Sequence, residues 1–345
     1  MRNNQGTVKP PQNLDLSLTL SMLSSGESKN SKRHTLATTQ ALPANQSAKS
    51  FSFTDIALLS FVSLGWGFSF PVMKVGLESY PPITFRAISI VIGIAALGLV
   101  LLARGQSLTI PRSDLKKLFA ISQINLTAWQ MGLLYGVILL GASRAAIVGY
   151  TMPVWAFVTS VMIYKAPINA RGVIGVSLAV MAVAALTLND FSQFLAAPAG
   201  LFILVGAAIC WGAGTAMIRN TPLSISNDSM AFWALICTVP AYAVMTYWFE
   251  SHLWRWPNLT ETWTILYGGL VTFSFCYVVW YRLSRRLPPE VSSLSIMLAP
   301  VIGVISSTLT IGEKVSPMDW LALVLIIMAM AVVLLPARVF RMTRR

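Results

Sequence analysis

From residue 54 onward the chain is a run of apolar blocks, each about 20 residues long, separated by short polar breaks. About twenty residues at 1.5 Å each is the length a helix needs to cross roughly 30 Å of hydrocarbon, and a buried soluble core has no reason to keep that spacing. The blocks predict spans near 54–73, 82–103, 118–139, 145–164, 172–189, 198–217, 229–249, 263–282, 291–311 and 317–337. With no water in the bilayer core, backbone groups must be satisfied inside the segment, and strand-type alternation is absent, so the spans are read as helices. Only 11% of residues are charged, too few to clothe a soluble globule of 345 residues.

Basic residues outnumber acidic ones by 25 to 12, and their placement decides what that means. They follow alternate loops. With residue 1 in the cytoplasm, the inner side collects about twenty, including Arg104, Arg112, Lys116, Lys117, Lys165, Arg171, Arg285 and Arg341, against Lys74, Arg144, Arg255 and Lys314 outside. This positive-inside bias orients both termini to the cytoplasm, suits an even helix count and excludes nucleic acid as the partner. The lipid bilayer and a small-molecule substrate are the expected partners, with a monomer or weak homo-oligomer as the assembly. A bacterial inner membrane is the expected location. Cys210, Cys237 and Cys276 all fall inside spans without metal-ligand spacing and are read as packing residues.

Residues 1–52 are polar and Ser-rich and are expected to be a disordered cytoplasmic tail, although their acid-poor character also suits a transit peptide or an overextended start. Residues 339–345 form a basic C-terminal tail. Between them the sequence repeats. WGFSFPVMK at 66–74 matches WGAGTAMIR at 211–219, an offset of 145. ASRAAIVGYTMP at 142–153 aligns with PEVSSLSIMLAP at 289–300, an offset of 147. Five helices per unit, 53–190 and 191–338, means the second unit enters the membrane from the opposite side: an inverted repeat, the device by which carriers build two access states around a central site.

WG at 66–67 with Lys74, PPITFR at 81–86, the 142–153 segment, Ala299-Pro300 and IGEK at 311–314 together resemble the EamA-type transporters of the drug/metabolite transporter superfamily, from about residue 53 to 338. The resemblance implies alternating access, a cavity lined by helices 1, 3, 4, 6, 8 and 9, and small substrates such as amino acids, often exported. The family's Gly-Glu pair after the ninth helix is present as Gly312 and Glu313, whereas Tyr164, Lys165 and Ala166 replace its counterpart after the fourth.

Polar and aromatic groups at membrane depth are the candidates for a site. In the third helix a uniform 100° turn puts Gln123 and Gln130 on one face and Asn125 and Trp129 on the other. Gln130, near mid-depth and equivalent to Tyr277, is the preferred lining residue; interhelical glue is the alternative. Trp66, Tyr150, Trp155, Trp211 and Tyr277 supply an aromatic wall for substrate, or else pack the core. Trp280 belongs to the same aromatic set, while Trp248, Trp254 and Trp256 suit an interfacial belt. Pro153 and Pro300 interrupt the fourth and ninth helices, freeing carbonyls near Gly149 and Ile296 for a hinge, a ligand or a plain kink. Lys74 and Arg219 close the first and sixth helices, as gates or as residues snorkelling to headgroups. Arg86 is expected near the interface, paired with Glu78.

No Asp or Glu lies near the middle of a predicted span, and His34 and His252 lie outside them, which favours a facilitator or exchanger over tight proton coupling. The spans lack the acid, His or Ser sets of intramembrane enzymes and the polar filter of a channel, and no Walker-type motif implies a nucleotide or other cofactor. A scaffold or receptor role is the competing class, which the repeat disfavours.

Overall fold

A computed structural model describes residues 53–189, 198–280 and 289–335; the predicted terminal tails, and the junction at 190–191, lie outside the described residues. All described secondary structure is helical. In chain order the helices are α1 Phe53–Gly76, α2 Pro82–Ala103, α3 Arg112–Leu140, α4 Ala142–Met162, α5 Ala170–Asn189, α6 Ala199–Asn220, α7 Asn227–Glu250, α8 Leu259–Trp280, α9 Pro289–Ile311 and α10 Pro317–Leu334. Nine of them are long and apolar enough among the described residues to cross a membrane, and α9 contributes a shorter apolar stretch, Ile296–Ile311.

Local chemistry sets the boundaries. Pro82 and Pro317 open α2 and α10 at positions where a missing N–H costs nothing. Asn258 with Glu261, and Ser316 with Asp319, form reciprocal capping boxes at the starts of α8 and α10. Between α3 and α4 the chain turns on one residue, Gly141, whose φ of 86° is in the left-handed region that favours glycine.

The sides of the bundle are apolar: Phe61, Leu99, Val180, Phe202, Trp248 and Leu309 are all exposed, as suits surfaces facing lipid. Inside, association relies on close approach rather than on expelling water, so small residues sit where helices meet. A methyl group on Gly67 of α1 would stand 2.4 Å from Ile302 of α9, and one on Gly212 of α6 would stand 2.7 Å from Cβ of Trp155 in α4. Gly212 lies 145 residues after Gly67, and Ile302 lies 147 after Trp155, so positions matched by the sequence repeat make matched contacts.

Three helices depart from the regular path that the sequence suggests. α3 and α8 carry π-helical segments, Gln123–Ala128 and Tyr267–Phe275, at matching places in the two halves. The α4 helix is two pieces, Ala142–Gly149 and Met152–Met162, broken at Tyr150 and Thr151. Pro153 therefore sits in the first turn of the second piece instead of mid-helix; it still has no N–H to offer the Gly149 carbonyl. Pro300 does lie within a continuous α9.

Replacing Gly67 or Gly212 by leucine forces side-chain volume into these contacts. Each substitution is expected to cost about 1–3 kcal/mol or more, read as a lower midpoint of thermal unfolding in detergent. A methyl group on Gly206 would have nothing within 4 Å, so Gly206→Ala should leave the midpoint unchanged or raise it.

Candidate functional site

The aromatic residues singled out from the sequence gather into linked groups. Trp66 lies 6.1 Å from Tyr277 and 5.8 Å from Trp280, and Tyr277 stacks with Phe273 at 6.5 Å. Trp129 and Trp211 pair at 5.7 Å, and Phe70 and Tyr150 at 6.2 Å. Trp66, Trp155 and Trp211 are only partly buried and border the main apolar core that contains Trp129 and Tyr150; Tyr277 borders a second core that also touches Trp211. Trp155 is fixed by donating its indole N–H to Oγ1 of Thr151, at the break in α4, at 3.1 Å. Trp248, Trp254 and Trp256 are exposed, as an interfacial belt requires.

The amides of α3 do not keep the faces that uniform α-helical geometry assigns them. The π-helical segment shifts the phase between Gln123 and Gln130. Gln123 donates to the Cys237 carbonyl on α7 at 2.8 Å, and Asn125 to the Trp211 carbonyl on α6 at 2.9 Å. Those two are interhelical glue. Gln130 is different: it is buried, and its Oε1 has no hydrogen-bond partner. A buried amide oxygen left unpaired costs about 1–3 kcal/mol, which makes Gln130 the polar group of α3 available to another ligand.

The helix-end cations also have specific places. Lys74 reaches across to the carbonyls of Val137 and Ile138, at 3.4 and 3.3 Å, and so caps the C-terminal end of α3. Snorkelling is thus not its arrangement here. Arg219 is exposed at the end of α6. Arg86 is buried, and Glu78 is exposed; the contacts of Arg86 are with Met73 and Phe273, so the expected Arg86–Glu78 pair is replaced by a different arrangement.

Sequence reasoning saw Glu313 only as half of a Gly-Glu motif and missed what the carboxylates that join the two halves bind at the α1–α2 end of the bundle. Glu313 accepts from the backbone N–H groups of Ala142 and Ser143 at 2.7 and 2.8 Å, clasping the positive start of α4. Glu250 does the same for α2, accepting from Ile83 and Thr84 at 2.8 and 2.7 Å. Asp319 pairs with Arg144 at 3.0 Å. Glu261 binds Arg255 and accepts from Ser79 Oγ at 2.6 Å. Gly141 makes room for the first clasp, because a methyl group there would lie 2.8 Å from Glu313 Oε1.

At the opposite end Asp114 accepts from the N–H and Oγ of Ser224, both at 2.7 Å. Ser224 is 145 residues after Ser79 and Glu261 is 147 after Asp114, a second matched pair of contacts. The Glu313 clasp has no such match. Lys165, 147 residues before Gly312, adopts nearly the same backbone (φ 55° against 68°), but Ala166 stands where Glu313 would be.

Family comparison accounts for this duplicated arrangement. The EamA-like transporter family matches the sequence twice, over residues 54–188 and 198–335. The chain belongs to the EamA-like transporter family. Its relatives include the "Uncharacterized transporter YoaV" of Bacillus subtilis (strain 168), 25% identical over 263 residues, covering 74% of this chain and 88% of that one. A "Probable amino-acid metabolite efflux pump" of Escherichia coli (strain K12) is 23% identical over 283 residues, covering 79% and 92%. A solved crystal structure aligns with a TM-score of 0.59 at 18% identity, over 85% of this chain and 99% of that one, a likeness of fold.

Hydrogen bonds to a charged acceptor contribute about 1.5–3 kcal/mol. Glu313→Ala should therefore lower the unfolding midpoint, Glu313→Gln should lower it less, and Gly141→Ala should resemble Glu313→Ala because it displaces the carboxylate. A midpoint unchanged in all three would show that the clasp contributes nothing.

Proposed function

We propose that this protein is a secondary transporter that exports amino acids or related small metabolites by alternating access. The supporting observation is the reciprocity of its contacts: Gly67 on Ile302 answers Gly212 on Trp155, and Ser79 with Glu261 answers Ser224 with Asp114. Two five-helix units related by an in-plane axis generate that pattern, because each interface at one face of the membrane then has a counterpart at the other. Ten spans, inverted halves and cytoplasmic termini in an inner membrane complete the reading, and they make the α1–α2 end the external one.

In this arrangement α1 with α9 and α6 with α4 are the two seams that open in turn. The broken α4 and the proline in α9 are the hinges, and Lys74 and Arg219 stand at opposite mouths. Trp66, Tyr150, Trp155, Trp211 and Tyr277 present aromatic surface, and Gln130 presents an unsatisfied acceptor, which together suit a small amphipathic metabolite. The efflux-pump name of the Escherichia coli relative supports amino-acid metabolites and outward transport. Among the described residues, acids cluster at helix ends, where they are hydrogen-bonded, which favours facilitated diffusion or exchange over proton coupling.

Purified protein in liposomes loaded with a mixture of amino acids should release a subset of them without ATP, and Gln130→Ala or Tyr277→Ala should lower that flux about tenfold or more while the protein still folds. A stoichiometric collapse of an imposed pH gradient would contradict the uncoupled mechanism. Reaction of residues 77–81 and 221–226 with an impermeant label from the same side would contradict the inverted topology.

A further inference from the structure

Arg86 is the buried cation that the transport reading leaves without a role. It is the fifth residue of α2, about 6 Å from the start of the helix, and is 4% exposed. Its Nη2 meets the sulfur of Met73, its guanidinium carbon lies 5.5 Å from the Phe273 ring centroid, and its Nε has no hydrogen-bond partner. Among the described residues the phenols of Tyr242 and Tyr277 interact with its charge, and both pack in the same apolar cluster as Phe273. The Tyr242 hydroxyl is buried too and also lacks a partner.

The acids of the surrounding elements are committed elsewhere. Glu78 is exposed; Glu250 holds the first N–H groups of α2; Glu261 holds Arg255 and Ser79. A guanidinium in a low-dielectric interior without a counter-charge is strongly disfavoured, and a thioether and one aromatic face compensate only a small part of that cost. A group kept charged and unpaired at this depth is explained when a ligand brings the missing negative charge. Its planar fork of donors matches a carboxylate, with the Tyr242 hydroxyl as a further donor beside it. One cation and two neutral phenols balance a monoanion; a phosphate dianion would be left half-neutralised.

We propose that Arg86, with Tyr242, is the subsite that receives the carboxylate of the transported metabolite. The assignment rests on the transport reading above and adds the chemical class of its substrate. Phe273, which covers the guanidinium, belongs to the π-helical segment of α8, and a change in that segment uncovers the site in another state of the cycle. Tyr277, at the end of the same ring stack, then lies between the carboxylate subsite and Trp66.

The test uses the full chain in liposomes, with L-leucine, L-phenylalanine and L-threonine compared against their carboxamides. The acids are expected to move roughly tenfold or more faster than the amides, and Arg86→Gln should bring the acids down to the amide rate while leaving the amides unaffected. Without ligand, Arg86→Gln should match or exceed the thermal stability of the unmodified protein, since it removes a buried charge; a purely structural arginine would give a large loss. If Arg86→Gln does not fold, Tyr242→Phe decides: a raised KM for the acids alone supports the subsite, and an unchanged KM overturns it. Equal flux of acids and amides in the unmodified protein overturns the carboxylate assignment and leaves the carrier reading standing. Flux of none of the six compounds overturns both.

Discussion

Close approach of helices at glycine governs this structure. In a bilayer, burying an apolar side chain against another helix instead of lipid gives little, so helices associate where their backbones can come near enough for dispersion and polar contacts to accumulate. Gly67 and Gly212 provide that approach at the α1–α9 and α6–α4 seams. Each seam joins a helix of one half to a helix of the other. Neither half is therefore a self-contained body.

The polar contacts are superimposed on this apolar frame at its two ends, and they are unequal. Ser79 with Glu261 and Ser224 with Asp114 are counterparts. Glu313 on α4 has no counterpart, because Ala166 replaces the second carboxylate although Lys165 keeps the backbone shape that Gly312 has. The α1–α2 end is thus held by carboxylates that bind helix starts directly, in the geometry that a helix dipole favours.

Much of this was legible in the amino-acid sequence, for identifiable reasons. Helix positions follow from apolar block length, and the duplication follows from WG at 66–67 and 211–212, because the same close contact needs the same glycine twice. Other features were not legible. The π-helical segments in α3 and α8 are set by tertiary packing and leave no mark in hydropathy, which is why Gln123 and Gln130 part company despite their spacing. Lys74 read as an ordinary helix-end charge and Glu250 drew no reading, because what they bind is backbone from distant segments, and backbone has no sequence signature. Gly312 with Glu313 was visible as a motif, but its partner, the start of α4, was not.

Gln130 and Arg86 show why polarity at depth has to be judged by partners as well as by burial. Asn125 and Gln130 are adjacent in character and similarly buried, yet Asn125 spends its amide donor on the Trp211 carbonyl and Gln130 leaves an oxygen unpaired. Arg86 lies deeper in cost: its neighbours are sulfur, an aromatic face and neutral phenols. A folded state optimised for stability alone would replace both groups with apolar side chains, because unsatisfied polarity in a low-dielectric interior is a net loss. Their retention makes sense when the relevant state includes a ligand. On the carrier reading proposed above, one group would offer a cation and the other an acceptor, the two requirements of a zwitterion.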